Sequence, residues 1–480
     1  MHLPVKSSFA LQEFLLRCRD IVGDEFVISD TALMEGYVTD WRKRAVRSAI
    51  AVLLPASTGE AAQLVALCAE FGIPMVPQGG NTGLVLGSIP SETGHAVVIS
   101  TRRLNRIRAI DTDNNTMTVE AGCLLESIQE AALKVSRFFP LSLASEGSCT
   151  IGGNLSTNAG GTAVLRYGNT RDLCLGLEVV TPTGEVWNGL RALRKDNTGY
   201  ALRDLYIGAE GSLGLITAAV LKLYPAPRAK ATAIVALASV ADTLKLFHFA
   251  QAQCGTDLSA FEFMSDYCLR LVQKYHLPTT PLFTASYSQY ALLELSSQDE
   301  DHVVQEKLNE LLLQASDCRL IQNAVVASSE SQANLFWSLR ENISAAQAKE
   351  GKNIKHDVSL PLSAIPQFIE QTDALLAKHY PGCQIVAFGH IGDGNLHYNV
   401  SAPQGTSSDT FLSAQHVINR IVHDQVHAFF GSISAEHGLG ELKRDEILRY
   451  KSPLEIQLMR SIKHALDPKN LMNPGKVIEG

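Results

Sequence analysis

The sequence predicts an α+β protein, and three observations carry that prediction. Strand-like and helix-like segments alternate irregularly through the first half, with a hairpin signal in place of a regular β-α-β-α series. A glycine-rich texture gives way to helix-forming segments near residues 225–228. The tail has helical periodicity over Pro453–Leu466 and stops at Asp467-Pro468. These changes divide the chain into residues 1–228, 229–425 and 426–480.

Residues 49–54 form an apolar run that reads as a buried strand. Ser57-x-x-Glu60 matches a capping box. It opens a helix with Leu64, Leu67, Cys68 and Phe71 at helical spacing, and Gly72 closes it. Residues 74–76 and 96–100 read as further strands. Residues 108–110 and 117–120 flank the turn Asp113-Asn114-Asn115, a hairpin pattern. A helix is expected over 125–135. In the second half, strands and helices alternate over 231–295, and residues 299–315, 329–350 and 412–430 read as helices. There is no internal repeat or long linker.

Composition narrows the function classes. Of 480 residues, 46% are hydrophobic and 19% charged, the range of a globular enzyme with a large core. The formal charge is −8 with both signs interspersed, which argues against nucleic acid as a partner. Nine scattered cysteines, an odd number with no C-x-x-C pair, point to a reduced protein whose thiols serve mostly as small buried side chains. Residues 1–19 lack the apolar stretch of a secretory leader. No run reaches the roughly 18 apolar residues of a membrane span. The expected compartment is the cytoplasm.

Two glycine clusters follow the early strands. The first is Pro77-Gln78-Gly79-Gly80-Asn81-Thr82-Gly83. The second runs from Ser148 through Gly152-Gly153-Asn154 and Thr157-Asn158 to Gly160-Gly161. Consecutive glycines permit positive φ and bring backbone N–H groups close to a ligand, where they form anion-binding nests. Interspersed amides and hydroxyls add donors. Neither cluster is a dinucleotide fingerprint or a P-loop. Two such clusters about 70 residues apart point to a cofactor cradle.

Together with Ile207-Gly208-Ala209-Glu210-Gly211-Ser212-Leu213-Gly214, these clusters resemble the flavin-binding domain of the vanillyl-alcohol oxidase family, over residues 48–476. The resemblance implies a two-subdomain FAD-binding domain, then an α+β substrate domain and a helical C-terminal segment closing the active site. It implies that Pro77, Gly79, Gly80, Asn81, Thr82 and Gly83 hold FAD together with Ser148, Gly152, Gly153, Asn154, Thr157, Asn158, Gly160 and Gly161. Ile216 would lie near the adenine end, and Asn473 would join the cofactor set. No histidine occurs between Pro77 and Gly87, where some relatives attach the flavin covalently, so the FAD is expected to be non-covalent.

The segment Gly389-His390-Ile391-Gly392-Asp393-Gly394-Asn395-Leu396-His397 carries a different chemistry. Asp-Gly between strand-like runs signals a two-residue hairpin. With Asp393-Gly394 central, His390 faces His397 across the ladder, close enough to share a metal ion. Glu436, next to His437, offers a third ligand. Two histidines and a glutamate make a catalytic zinc set, with Mn²⁺ an alternative. His423 and His427, one helical turn apart, read as a solvated face.

The motifs around His390, His397 and Glu436-His437-Gly438 resemble the family of FAD-linked D-2-hydroxyglutarate and D-lactate dehydrogenases. By that resemblance His390, His397 and Glu436 bind zinc and His437 is the general base. Arg340 and Ser344, on one predicted helix face, would bind substrate carboxylate with Lys355, and Asn399 would help. Having both Arg340 and Lys355 favours a dicarboxylate, D-2-hydroxyglutarate first and D-malate second. D-Lactate or glycolate oxidation, a zinc hydrolase and a flavin electron-transfer subunit are the alternatives. The resemblance further implies a homodimer and an electron-transfer flavoprotein or quinone as acceptor.

Overall fold

The computed structural model describes residues 8–276 and 282–479. The parts of the expectations that rest on residues 1–7 and 277–281 lie outside the described residues. None of the described helices is long and apolar enough to cross a membrane. The chain divides into two units. One comprises the segment up to Gly160, Asn169–Pro225 and Glu436 onward. The other comprises Gly161–Gly168 and Ala226–Ala435.

Among the described residues the first unit holds two larger sheets and a two-stranded one, Arg137–Phe138 paired with Tyr224–Pro225. In the four-stranded sheet the strands Val27–Ile28, Val52–Leu53, Val97–Ser100 and Met75–Gln78 lie in that order. The central strand Val97–Ser100 runs parallel to both neighbours. Helix Thr58–Phe71 supplies the parallel crossover. Leu64, Leu67 and Cys68 are buried against Phe14, Met75, Val97 and Ile99, as their helical spacing requires. Ser57 Oγ accepts from Glu60 N, whereas the Glu60 carboxylate takes Ala56 N rather than Ser57 N, so only half of the capping box forms. Gly72 ends the helix with φ +58°. The five-stranded antiparallel sheet has the order Ile107–Asp111, Thr116–Glu120, Leu215–Lys222, Cys174–Val180, Val186–Gly189.

The tail returns to this unit. Helix Pro453–Leu466, with a complete capping box at Ser452 and Glu455, ends at the buried pair Lys463–Asp467. Asp467 accepts from Leu471 N and Met472 N. Met472 then bridges to Met75, which sets Asn473 beside the first glycine cluster.

The second unit is built on one antiparallel sheet. Its strands run Asn323–Val326, Ala229–Leu237, Gln289–Ser297, Leu258–Ser265, Gln384–Gly389, Asn395–Ser401, Asn353–Ile354. Strand Asp357–Ser359 also pairs with Asn395–Ser401. Every residue from Leu258 to Met264 is buried, so this central strand is apolar on both faces apart from Ser259 and Glu262.

Three local expectations need correction. The segment 329–350 is two helices, Glu330–Glu341 and Ile343–Glu350, because Asn342 turns its side chain back onto the Ser338 carbonyl and oxygen. The helix expected over 412–430 is observed over Gln415–Ala428 and starts later because Ser408–Leu412 forms a separate short helix ahead of it. The second glycine cluster is not a nest-like loop. Gly152 and Gly153 lie in the helix Ile151–Thr157.

Seven of the nine cysteines are buried, as their use as small apolar side chains implies. Burial pushes the Cys18, Cys174 and Cys268 thiols up to about 12, so they stay protonated at neutral pH.

Candidate active site

Four glycines of the two clusters are needed for close approach rather than for positive φ. Gly79, Gly80, Gly152 and Gly153 all avoid the left-handed region, which Asn81 enters instead at φ +56°. A Cβ on Gly79 would lie 2.2 Å from Thr150 Oγ1, and one on Gly80 would lie 2.1 Å from the Ser148 carbonyl oxygen. A Cβ on Gly152 would meet Ala121 at 2.7 Å. The two clusters therefore touch backbone to backbone. Gly211, of the third motif, packs on Pro77.

Several side chains in these clusters are committed to the loops. Asn81 Nδ2 donates to Gly36 and Thr39 carbonyls, and its oxygen accepts from Ser88. Asn158 caps its helix in the left-handed conformation and accepts from Arg171 N. Thr157 and Ser148 donate to the Gly153 and Ser145 carbonyls. These side-chain groups are hydrogen-bonded within the protein, so the donors they were expected to offer are engaged in holding the loops. In contrast, Gln78 Oε1, Thr150 Oγ1, Asn154 Oδ1 and Asn473 Oδ1 are buried with no hydrogen-bond partner. Buried polar atoms without partners cost free energy, on the order of 1–3 kcal/mol each. A close-packed glycine cradle lined by such atoms fits a polar cofactor. Thr82 and Gly83 continue the first cluster, Gly160 and Gly161 end the second, and Ile216 pairs with Val179 in the five-stranded sheet.

The histidine segment of the second unit has a different register from the one expected. Phe388, not His390, pairs with His397. The connection spans five residues: Ile391–Asp393 forms a 3-10 turn, and Gly394 closes it at φ +87°. Asp393 accepts from Asn395 N, so its side chain mimics a turn and replaces the two-residue hairpin. His390 thus sits on the loop, yet its ring centroid is still 6.0 Å from that of His397.

Glu262, which sequence reasoning missed, organises this loop. It is fully buried, with Oε1 2.5 Å from His390 Nδ1 and Oε2 2.7 Å from Arg340 Nε. Burial pushes its carboxyl up, but the charges and hydrogen bonds of His390 and Arg340 outweigh that and hold it at about 2. Arg340 is 8% exposed and lies over the Phe388 ring, 4.8 Å from its centroid. The same ring is 4.9 Å from the His397 ring. Asp357 Oδ1 stands 3.8 Å from His397 Nδ1. Asp357 and Val358 hold Asn395, which ties the strand Asp357–Ser359 to the loop's exit.

Lys355 Nζ lies 3.4 Å from Gln347 Oε1, which also accepts from Asn399 Nδ2 at 3.0 Å. Gln347 was likewise missed. It is buried, and its Nε2 has no hydrogen-bond partner. Ser344 is exposed and stands in the first turn of the helix after Arg340's. His423 is buried, with its ring 5.5 Å from that of His356, which corrects the solvated reading. His427 is exposed as expected.

Ala435 ends the second unit with its N–H on the Asp357 carbonyl, and Glu436 and His437 are the next residues along the chain. They open the last segment of the first unit. There Glu210, 8% exposed, accepts from Leu439 N at 2.7 Å and Gly440 N at 2.9 Å. Burial raises the Glu210 carboxyl to about 7 despite those N–H groups. A Cβ on Gly438 would lie 2.6 Å from Glu210 Oε1.

Comparison with known proteins matches both units. A family described as FAD binding domain matches residues 49–189, and one described as FAD linked oxidases, C-terminal domain, matches residues 226–477. A protein of Oryza sativa subsp. indica named probable D-2-hydroxyglutarate dehydrogenase, mitochondrial, is 40% identical, covering 96% of this chain and 80% of its own. The D-2-hydroxyglutarate dehydrogenase of Xanthomonas citri pv. viticola is 38% identical, covering 94% of both chains. Among solved structures, p-cresol methylhydroxylase with substrate bound superposes with TM-score 0.78 at 16% identity, covering 98% of each chain. The 4-ethylphenol oxidase of Gulosibacter chungangensis gives 0.74 at 19%, covering 99% of this chain and 98% of its own. These two share the fold, that of the vanillyl-alcohol oxidase flavoproteins.

Proposed function

The chain belongs to the FAD-linked oxidase family, among its D-2-hydroxyglutarate dehydrogenases, and we propose that it oxidises D-2-hydroxyglutarate to 2-oxoglutarate. It is an FAD-dependent oxidoreductase. The observation that carries the substrate is whole-chain identity of 38–40% with relatives of that name, joined to a buried arginine beside a histidine pair.

Gly79, Gly80, Gly152 and Gly153 would let the backbone close on the cofactor, with Thr150, Asn154 and Asn473 offering it polar atoms. When bound, the flavin supplies the hydride acceptor for C2. Arg340 uses Nε on Glu262, so its two Nη groups are the fork that would meet a substrate carboxylate. Lys355, with Asn399 and Gln347 around it, adds a second cation, the feature a dicarboxylate needs and lactate does not. Ser344 would contribute only a hydroxyl at the rim. His437 would take the proton from the C2 hydroxyl, a general-base role suited to an imidazole.

His390, His397 and Glu436 are the residues that would hold a zinc or manganese ion. The donor chemistry fits, because a carboxylate on His390 Nδ1 fixes the proton there and places the lone pair on Nε2. Such an ion would act as a Lewis acid on the C2 hydroxyl. D-Malate, one carbon shorter, is the second substrate of this reading. Reoxidation would fall to an electron-transfer flavoprotein or a quinone.

The test is anaerobic bleaching of the flavin by a panel of D- and L-2-hydroxy acids. D-2-Hydroxyglutarate is expected to bleach it fastest and the L-isomer not at all. Faster bleaching by D-lactate or glycolate would reassign the substrate.

A further inference from the structure

We propose that Glu262 is a positioning residue that joins the substrate-binding arginine to the metal-binding histidine, so that one carboxylate sets the geometry of both. The proposal rests on the roles given above to Arg340 and His390.

The strand around Glu262 makes an ionised side chain expensive. Ala260, Phe261, Phe263 and Met264 are all buried, and Glu262 itself is 0% exposed. A strand buried on both faces is ordinarily apolar throughout. Taking a carboxylate and its partners out of water costs several kcal/mol per ion, and well-packed apolar side chains often serve stability as well or better. Packing alone therefore gives no reason for a carboxylate at this position.

Its geometry gives one. The two oxygens are divided, Oε1 to His390 Nδ1 at 2.5 Å and Oε2 to Arg340 Nε at 2.7 Å. The first contact sets the tautomer of an imidazole that has to offer Nε2 to a metal. The second takes the Nε edge of the guanidinium, leaving the Nη fork as the edge for substrate. Phe388 lies under the same guanidinium and against His397, so the arginine plane is pinned from two sides. A shift of the carboxylate moves both groups together. Metal affinity and substrate affinity should then fall together when it is altered.

Glutamine at this position keeps the shape but has only one acceptor oxygen. Its amide NH₂ must face either Arg340 or His390, donor against donor. Aspartate keeps both oxygens and the charge on a shorter stem. The experiment compares wild type, Glu262→Gln and Glu262→Asp as flavin-loaded enzymes. Zinc affinity is measured by competition with a chelator of known affinity, and KM is measured for D-2-hydroxyglutarate. Thermal melting and the flavin spectrum report folding.

Glu262→Gln is expected to keep its flavin, to bind zinc roughly 10–100-fold more weakly, and to show a KM raised by about tenfold or more. Glu262→Asp is expected to recover part of both. A folded Glu262→Gln with wild-type zinc affinity and KM overturns the proposal. So does a lowered melting temperature with both constants unchanged, or loss of folding in both variants, since each assigns Glu262 to the scaffold. A wild-type enzyme that binds no zinc and is not reduced by D-2-hydroxyglutarate fails differently. That result removes the functional reading, before any variant is compared.

Discussion

Phe388 stands directly across the ladder from His397, and its ring is shared between that histidine and Arg340 at 4.9 and 4.8 Å. One aromatic side chain thus supports a candidate metal ligand and a candidate substrate cation. Phe388→Leu conserves most of the buried volume but removes the ring face. A cation–π contact of this kind contributes about 0.5–2 kcal/mol. KM for D-2-hydroxyglutarate is expected to rise by roughly 2–30-fold with thermal stability little changed. An unchanged KM in steady-state kinetics would show that the ring does not orient Arg340.

In the proposed reading Lys355 is the second cation, beside Arg340, that a dicarboxylate needs and a monocarboxylate does not. Lys355→Ala is expected to raise KM for D-2-hydroxyglutarate and D-malate at least tenfold, about the effect of one charge-assisted hydrogen bond, and to leave D-lactate kinetics within a factor of about two. Equal effects on all three acids would remove Lys355 from substrate selection.

The histidine pair and the flavin cradle belong to different units, so their losses should be separable. His390→Ala is expected to abolish turnover while the flavin absorbance spectrum and flavin stoichiometry stay at wild-type values. Exhaustive chelation of the wild type should do the same, and zinc or manganese should restore activity. Full activity in metal-free enzyme would sink the metal role.

Gly80 leaves no room for a side chain, since a Cβ would stand 2.1 Å from the Ser148 carbonyl oxygen and 3.0 Å from Cys149 Cα. Both obstacles are backbone and cannot swing away. Gly80→Ala is expected to lower flavin occupancy after gel filtration below half of wild type. Gly59→Ala, whose Cβ would meet nothing nearer than 3.8 Å, should retain full occupancy. Full occupancy in both variants would mean that the two clusters need not touch to hold FAD.

Glu210 predicts a pH dependence of stability. Its folded value of about 7 lies above the ordinary 4.5, and burial is the main cause. Between those values the folded state holds a proton that the unfolded state has lost. Stability from this group is therefore complete below about pH 4.5 and declines as pH rises to 7, by on the order of 3 kcal/mol. Glu210→Gln keeps one acceptor oxygen for Leu439 N or Gly440 N and removes the charge. Its melting temperature relative to wild type should climb from pH 5 to pH 8. A difference that stays flat across that range would show that Glu210 is ionised without cost.

Most helices were legible because their signals are local. The spacing of Leu64, Leu67 and Cys68, the Ser57 cap and the Gly72 stop all lie within about four turns, and the structure keeps each of them. The tail helix Pro453–Leu466 matches its expected bounds for the same reason. Boundaries failed where a side chain competed with the backbone, as Asn342 does with Ser338 and Asp393 with Asn395. The two-residue hairpin was the strongest short-range signal in its segment, yet a 3-10 turn closed by Gly394 displaced it and moved Phe388 opposite His397.

By itself the sequence determined the types of chemistry available: glycine clusters for close backbone approach and an imidazole pair. Those are properties of residue type and near spacing, and they survive without coordinates. Only the tertiary structure decided how these groups are held. Glu262 reaches Arg340 across 78 residues and His390 across 128, from a strand that otherwise reads as plain apolar core. A carboxylate in such a strand declares no partner in its own neighbourhood, because its partners arrive on other strands and helices when the sheet assembles.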